Sequence, residues 1–185
     1  MKKNVIKPIN EQINAELYSA YLYLAFADYY EEEGLSGYAN YFEIQAAEER
    51  DHALIFRKYL HENGEKVTLT AIAAPEVEFK SFIEPLEKAL EHEKFVTSLI
   101  NKIYAAANKD NDWRTMNFLN WFVDEQLEEE DNADTMLTRM KLFGGDSVIL
   151  QHLIVYQYCC ITAGCFSEIK AVDHRHIRHF LMRNS

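Results

Sequence analysis

The chain has 185 residues, 30 acidic against 19 basic side chains, and a formal net charge of -11. That length suits one well-buried core, and the charge excludes nucleic acid and anionic membranes as natural partners while favouring cations. No apolar run approaches the roughly 20 residues needed to span a bilayer, and Met1-Lys2-Lys3 leads to Pro8 and Asn10 instead of the apolar block of a secretory signal, so the expected location is cytoplasmic.

From about Val5 to Glu33 the residues Ile9, Ile13, Glu16, Ala20, Tyr23 and Ala27 recur at intervals of three and four, predicting a first long helix that stops at Gly34. Ser36 is positioned to cap a second helix, about Gly37 to Asn63, whose stripe is Phe42, Ala46, Glu49, Ala53, Phe56 and Leu60. The short link between them implies an antiparallel hairpin. Residues Glu65 to Lys80 carry β-branched side chains and Pro75 without a helical stripe. Extended, about 15 residues reach some 50 Å, more than the length of a helix of about 28 residues, some 42 Å. The connection therefore crosses the whole bundle.

Ser81 and Glu84 have capping-box spacing, with Pro85 compatible with a first turn. A third helix then runs to about Asn108 with stripe Leu86, Leu90, Glu93, Val96, Ile100 and Ile103. After Lys109-Asp110-Asn111, a fourth runs from about Asp112 to Phe143 with stripe Leu119, Phe122, Gln126, Glu129, Ala133, Met136 and Met140, ending at Gly144-Gly145. The fold class is all-α: an antiparallel four-helix bundle with one long crossover over residues 1–145, followed by a separate C-terminal segment, 146–185.

Each apolar stripe is interrupted near its middle by a polar group: Glu16; Glu49 with His52; Glu93; Gln126 with Glu129. Glu49 and His52 share a helix face at i, i+3. Burying an isolated carboxylate costs several kcal/mol or more unless it is paired or binds a metal. One such Glu reads as a side chain reaching past the edge of its stripe; four at matched height converge in one layer and repel one another strongly unless cations intervene. Two helices each giving a Glu and a third giving Glu-x-x-His make up most of a di-iron carboxylate layout. Oxygen and imidazole ligands suit iron, with manganese and zinc also compatible. Tyr23 lies two turns beyond Glu16 on the same side and approaches that layer.

The segments Asn10-Glu11-Gln12-Ile13-Asn14-Ala15-Glu16, Glu48-Glu49-Arg50-Asp51-His52, Glu91-His92-Glu93 and Asn120-Trp121-Phe122-Val123-Asp124-Glu125-Gln126-Leu127-Glu128-Glu129 together resemble those of a non-haem bacterial ferritin, from about Asn4 to Phe143. The resemblance implies a ferritin-like bundle in which Glu16, Glu49 and His52 hold one iron, and Glu49 bridges to a second held by Glu93 and Glu129. Gln126 would stand beside the pair and Tyr23 nearby. A third iron, toward the cavity, would be held by Glu48, Glu125, Glu128 and Glu129. It further implies Fe(II) oxidation by dioxygen or hydrogen peroxide, storage as ferric mineral, and a homo-oligomeric shell of 24 subunits.

Gln126-Leu127-Glu128-Glu129 stands where the related bacterioferritins repeat Glu-x-x-His, which implies two inequivalent iron positions. Arg50 stands where their haem-ligating Met falls, so no haem is expected, and the Cys-x-x-Cys iron domain of a rubrerythrin is absent. The alternatives are a di-iron oxygenase or peroxidase acting on an organic substrate, and a non-catalytic metal-buffering cage. Beyond Gly145 the resemblance ends. Ser147 to Tyr158 is apolar enough for a short helix, and Cys159, Cys160 and Cys165, the three cysteines of the chain, read as reduced. His174, His176 and His179 among Arg175, Arg178 and Arg183 read as a solvated basic tail, their spacing matching no specific metal signature.

Overall fold

The computed structural model describes residues 1–75 and 78–142. Four α-helices follow one another: α1 Lys3–Glu32, α2 Ser36–Glu62, α3 Glu84–Lys109 and α4 Trp113–Leu142. They form the expected all-α bundle, and the helix limits other than the end of α4 agree with the sequence reading to within a residue or two. The predicted end of α4 at Gly144-Gly145 and the whole segment 146–185, with its cysteines, histidines and short helix, lie outside the described residues.

All three turns between helices or after them close in the same way. Leu35 N–H donates to the Tyr30 carbonyl at 2.8 Å, Glu65 to Leu60 at 2.9 Å and Asp112 to Ala107 at 2.9 Å. The residue just before each has positive φ: Gly34 at 73°, Gly64 at 70° and Asn111 at 55°. This left-handed closure satisfies the last carbonyls of a helix and suits Gly, or Asn with its short polar side chain.

The expected caps differ from those found. Leu35, fully buried by the first closure, occupies the position before α2, so Ser36 is already helical and makes no cap. The Ser81–Glu84 box does not form either. Ile83 precedes α3 without a side-chain cap, and the Glu84 carboxylate accepts from the Lys80 N–H at 2.8 Å. Asp112 supplies the cap that is present, accepting from the Thr115 N–H at 3.1 Å and its hydroxyl at 2.8 Å. Two stripe positions shift by one residue: Ser19 and Ala89 are buried where Ala20 and Leu90 were expected.

The crossover runs alongside α1 in the same direction. The Met1 amino group pairs with Glu65 at 2.9 Å. Asn10 accepts from the Thr68 N–H at 2.6 Å, and Asn14 accepts from the Thr70 hydroxyl at 2.8 Å. At the far end, Tyr30 donates to the Phe82 carbonyl at 2.5 Å. The connection thus climbs from the end of α2 to the opposite end of the bundle, so α3 runs parallel to α2 and α4 parallel to α1.

The core is in two parts. One is built from Phe26, Tyr30, Tyr38, Phe42, Leu86 and Met140 with their neighbours. The other is built from Ile9, Ile13, Phe56, Leu60, Ile100 and Phe122 with theirs. Phe56 stacks on Phe122 with centroids 4.1 Å apart, tying α2 to α4. Side chains of this size contribute about 1.5–3 kcal/mol each when fully buried. Between the two apolar parts lies a belt of buried polar groups.

Candidate metal centre

The belt holds Glu16, Glu49, His52, Glu93, Gln126 and Glu129, none more than 6% exposed. Each sits where an amphipathic helix places its core face, and farther along each helix that face returns to hydrocarbon. One donor atom from each of Glu16, Glu49 and His52 lies within 4.8 Å of the other two. Glu16 Oε2, Glu49 Oε1 and His52 Nε2 are buried without any hydrogen-bond partner. Such orphaned groups cost about 1–3 kcal/mol apiece, more when charged, so three on residues whose metal-ligating atoms converge are a need that a cation would satisfy.

The electrostatics agree. Burial, followed by the charge of Glu49, raises the Glu16 carboxyl well above its ordinary range. Burial and then Glu93 do the same to Glu49, and burial, Glu93 and Glu49 to Glu129. Glu93 is also raised by burial, against the opposing effect of hydrogen bonds from Tyr23 and Gln126. These carboxylates therefore act on one another across all four helices, and a divalent ion is the natural counter-charge.

Tyr23 is buried and its hydroxyl donates to Glu93 Oε1. Gln126 Nε2 donates to Glu93 Oε2 at 3.0 Å. Of the residues expected further out, Glu48 and Glu125 are half-buried, and their charges bear on both Glu49 and Glu129. Glu125 Oε1 stands 3.8 Å from His52 Nε2. Glu128 is exposed and does not join the buried belt. Arg50 points to solvent and pairs with Asp51 at 2.9 Å.

The sequence reading passed over several polar residues that the fold brings to this belt. Gln12 Nε2 donates to Glu16 Oε1 at 2.8 Å, and Gln45 Nε2 to Glu129 Oε2 at 2.6 Å. Both fall four residues before a belt glutamate, a repeated Gln-x-x-x-Glu spacing that could have revealed them. His92 meets Ser19 Oγ at 2.7 Å, and burial lowers its imidazole to about 4, leaving it neutral. Thr97 donates to Glu130 at 2.6 Å beside Gln126.

Fold and buried cluster together define a carboxylate-bearing four-helix bundle of the ferritin-like class. A family model described as a ferritin-like domain matches residues 6–143. A bacterial non-heme ferritin of Staphylococcus saprophyticus is 40% identical over 147 residues, covering 80% of this chain and 88% of that protein. A probable bacterial non-heme ferritin-like protein of Haemophilus influenzae is 38% identical over 146 residues, 79% of this chain and 88% of that protein. Among solved structures, an open pore ferritin from Archaeoglobus fulgidus aligns with a TM-score of 0.82 at 37% identity, over 84% of this chain and 96% of that one. The chain belongs to the ferritin family.

Proposed function

We propose that the protein stores iron: it oxidises Fe(II) to Fe(III) at the buried belt and retains the product as ferric oxyhydroxide inside a homo-oligomeric shell. The observation that carries this reading is the trio of buried, unpartnered donors on Glu16, Glu49 and His52 in a chain of this family. Glu16, Glu49 and His52 hold the first Fe(II). Glu49, Glu93 and Glu129 hold the second. The positions are inequivalent because only the first has an imidazole.

Two Fe(II) give up one electron each. Dioxygen that accepts both, with two protons, leaves as hydrogen peroxide; peroxide that accepts two more, with two protons, leaves as water. Carboxylates favour the harder Fe(III) product, and holding both ions at fixed separation in a water-poor site turns a multi-body encounter into a local one. Tyr23 and Gln126 orient Glu93 through its two oxygens. Glu48, Glu125 and Glu129, with Glu128 from the exposed rim, offer a third position on the way to the cavity. The acidic net charge draws cations toward the surface.

Residues 1–145 constitute the bundle unit and 146–185 an appended unit, in a cytoplasmic particle for which a 24-subunit shell is the expected closed form. Among the described residues no helix is long and apolar enough to cross a membrane. The test is stopped-flow absorbance after Fe(II) is mixed with aerated protein. The parent gives a fast ferric signal at up to two Fe(II) per chain, and Glu49→Ala and His52→Ala slow it by at least tenfold. If both variants oxidise iron at the parent rate, the assignment of the site is wrong.

A further inference from the structure

Of the two glutamines that reach the belt from outside the proposed ligand set, Gln12 is 1% exposed and Gln45 7%. Gln12 lies one turn before Glu16 on α1 and donates to Glu16 Oε1 at 2.8 Å. Gln45 lies one turn before Glu49 on α2 but reaches across the bundle, donating to Glu129 Oε2 on α4 at 2.6 Å. In both contacts the amide nitrogen faces the carboxyl, the orientation required once that group is ionised on a cation, because a carboxylate oxygen only accepts and an amide oxygen there would set two acceptors together.

Each amide occupies one oxygen of its glutamate and leaves the other. The remaining Glu16 oxygen, Oε2, is among the unpartnered donors, as is Glu49 Oε1. Gln12 is held there at a cost, since its own Oε1 is buried without a partner. An apolar side chain of the same size would fill the space without that orphan, so packing alone does not account for glutamine at this position.

We propose that Gln12 and Gln45 are positioning residues, each holding one carboxylate oxygen of the centre so that Glu16 and Glu129 present a single oxygen apiece to their ions while Glu49 spans both. The proposal rests on the reading of the belt as a two-ion centre and deepens it. Gln12 serves the first ion position, with Glu16 and His52. Gln45 serves the second, with Glu93 and Glu129. Partners of this kind fix ligand direction and commonly contribute 10–100-fold in metal affinity.

The test uses Co(II), which is not oxidised by air under these conditions and reports its coordination through visible absorption. Full-length protein is titrated by calorimetry and by absorbance, beside Glu16→Ala and Glu129→Ala as markers for the two positions. Gln12→Leu is expected to weaken, by about 10–100-fold, the step that Glu16→Ala removes, and to leave the other step unchanged. Gln45→Leu is expected to do the converse, to the step that Glu129→Ala removes. In each variant the visible bands of the affected ion weaken as its freed carboxylate attaches through both oxygens and raises the coordination number. Where a Leu variant does not fold, Gln12→Asn or Gln45→Asn, whose amide is one methylene too short to reach, should show the same selectivity. Both steps weakening together, or neither, overturns the proposal: general loosening would give the first result and an idle contact the second. If Glu16→Ala and Glu129→Ala themselves leave two Co(II) bound at parent affinity, the reading of the belt as a metal centre has failed instead.

Discussion

Replacing Glu49 by Gln keeps the side chain's size and removes one ionisable group from the belt, which separates what that carboxylate costs the fold from what it does for a cation. Glu49 is 1% exposed. Burial and then the Glu93 charge raise its carboxyl well above the ordinary 4.5. A carboxyl with a raised folded pKa keeps its proton where the unfolded chain has released it, so stability falls as pH rises above 4.5. At pH 7 the gap is at most about 2.5 pH units at about 1.4 kcal/mol each, which bounds the cost at roughly 3.5 kcal/mol. Gln holds no such proton. Metal-free Glu49→Gln should therefore be about 1–3 kcal/mol more stable than the parent at pH 7, a rise in melting temperature of roughly 2–4 °C per kcal/mol for a chain of this size. The assay is urea or thermal unfolding of chelator-treated protein at pH 7, 6 and 5, where the difference should narrow as pH falls. Added Co(II) should reverse the order, since an ion at 1,000 times its dissociation constant stabilises the parent by about 4.1 kcal/mol, and on the proposed assignment the variant lacks one of its ligands. A metal-free variant less stable than the parent at pH 7, or a gap that does not close toward pH 5, refutes the reasoning.

Phe56→Ala removes a fully buried ring stacked 4.1 Å from Phe122 and should cost about 3–5 kcal/mol in a urea titration; a loss below about 1 kcal/mol would show that the α2–α4 contact is not the tie described. Gly34→Ala places a Cβ at φ 73° with nothing within 4 Å of it, so its cost, about 1 kcal/mol net of the stiffer unfolded chain, should come from backbone strain alone. Gly34→Asn should lose less in the same melting experiment. Asp112→Ala removes the cap on Thr115 and should cost about 1 kcal/mol, largely recovered by Asp112→Ser.

The positions of the belt residues were legible because a carboxylate in an apolar stripe violates the helix's own pattern, and the violation falls at mid-helix four times. Glu16, Glu49, Glu93 and Glu129 are all buried among hydrocarbon, as their stripes require. What escaped has physical causes. Ser36 resembles a cap only until the left-handed closure at Gly34 draws Leu35 into the core and hands Ser36 to the helix. Ser19 and Ala89 take over from Ala20 and Leu90 where small side chains face the interior. Gln12 and Gln45 were missed because a neutral amide beside a stripe breaks no rule, and its partner, for Gln45, comes from a helix more than 80 residues away in sequence. Glu128 carries the right chemistry but lies on the wet side of α4.

Glu16, Glu49 and His52 all sit on the α1–α2 hairpin, and Glu93, Gln126 and Glu129 all on α3–α4. The strongest charge acting on Glu49 is that of Glu93, on the other hairpin, and Glu129 is acted on in turn by Glu49. With no cation present, hydrocarbon above and below the belt presses the two hairpins together, and the hydrogen bonds from Tyr23 to Glu93 and from Gln45 to Glu129 join them across it, while each buried carboxyl resists losing its proton because another faces it from the opposite half. An ion held by carboxylates of both halves would lift that resistance and rivet the hairpins together.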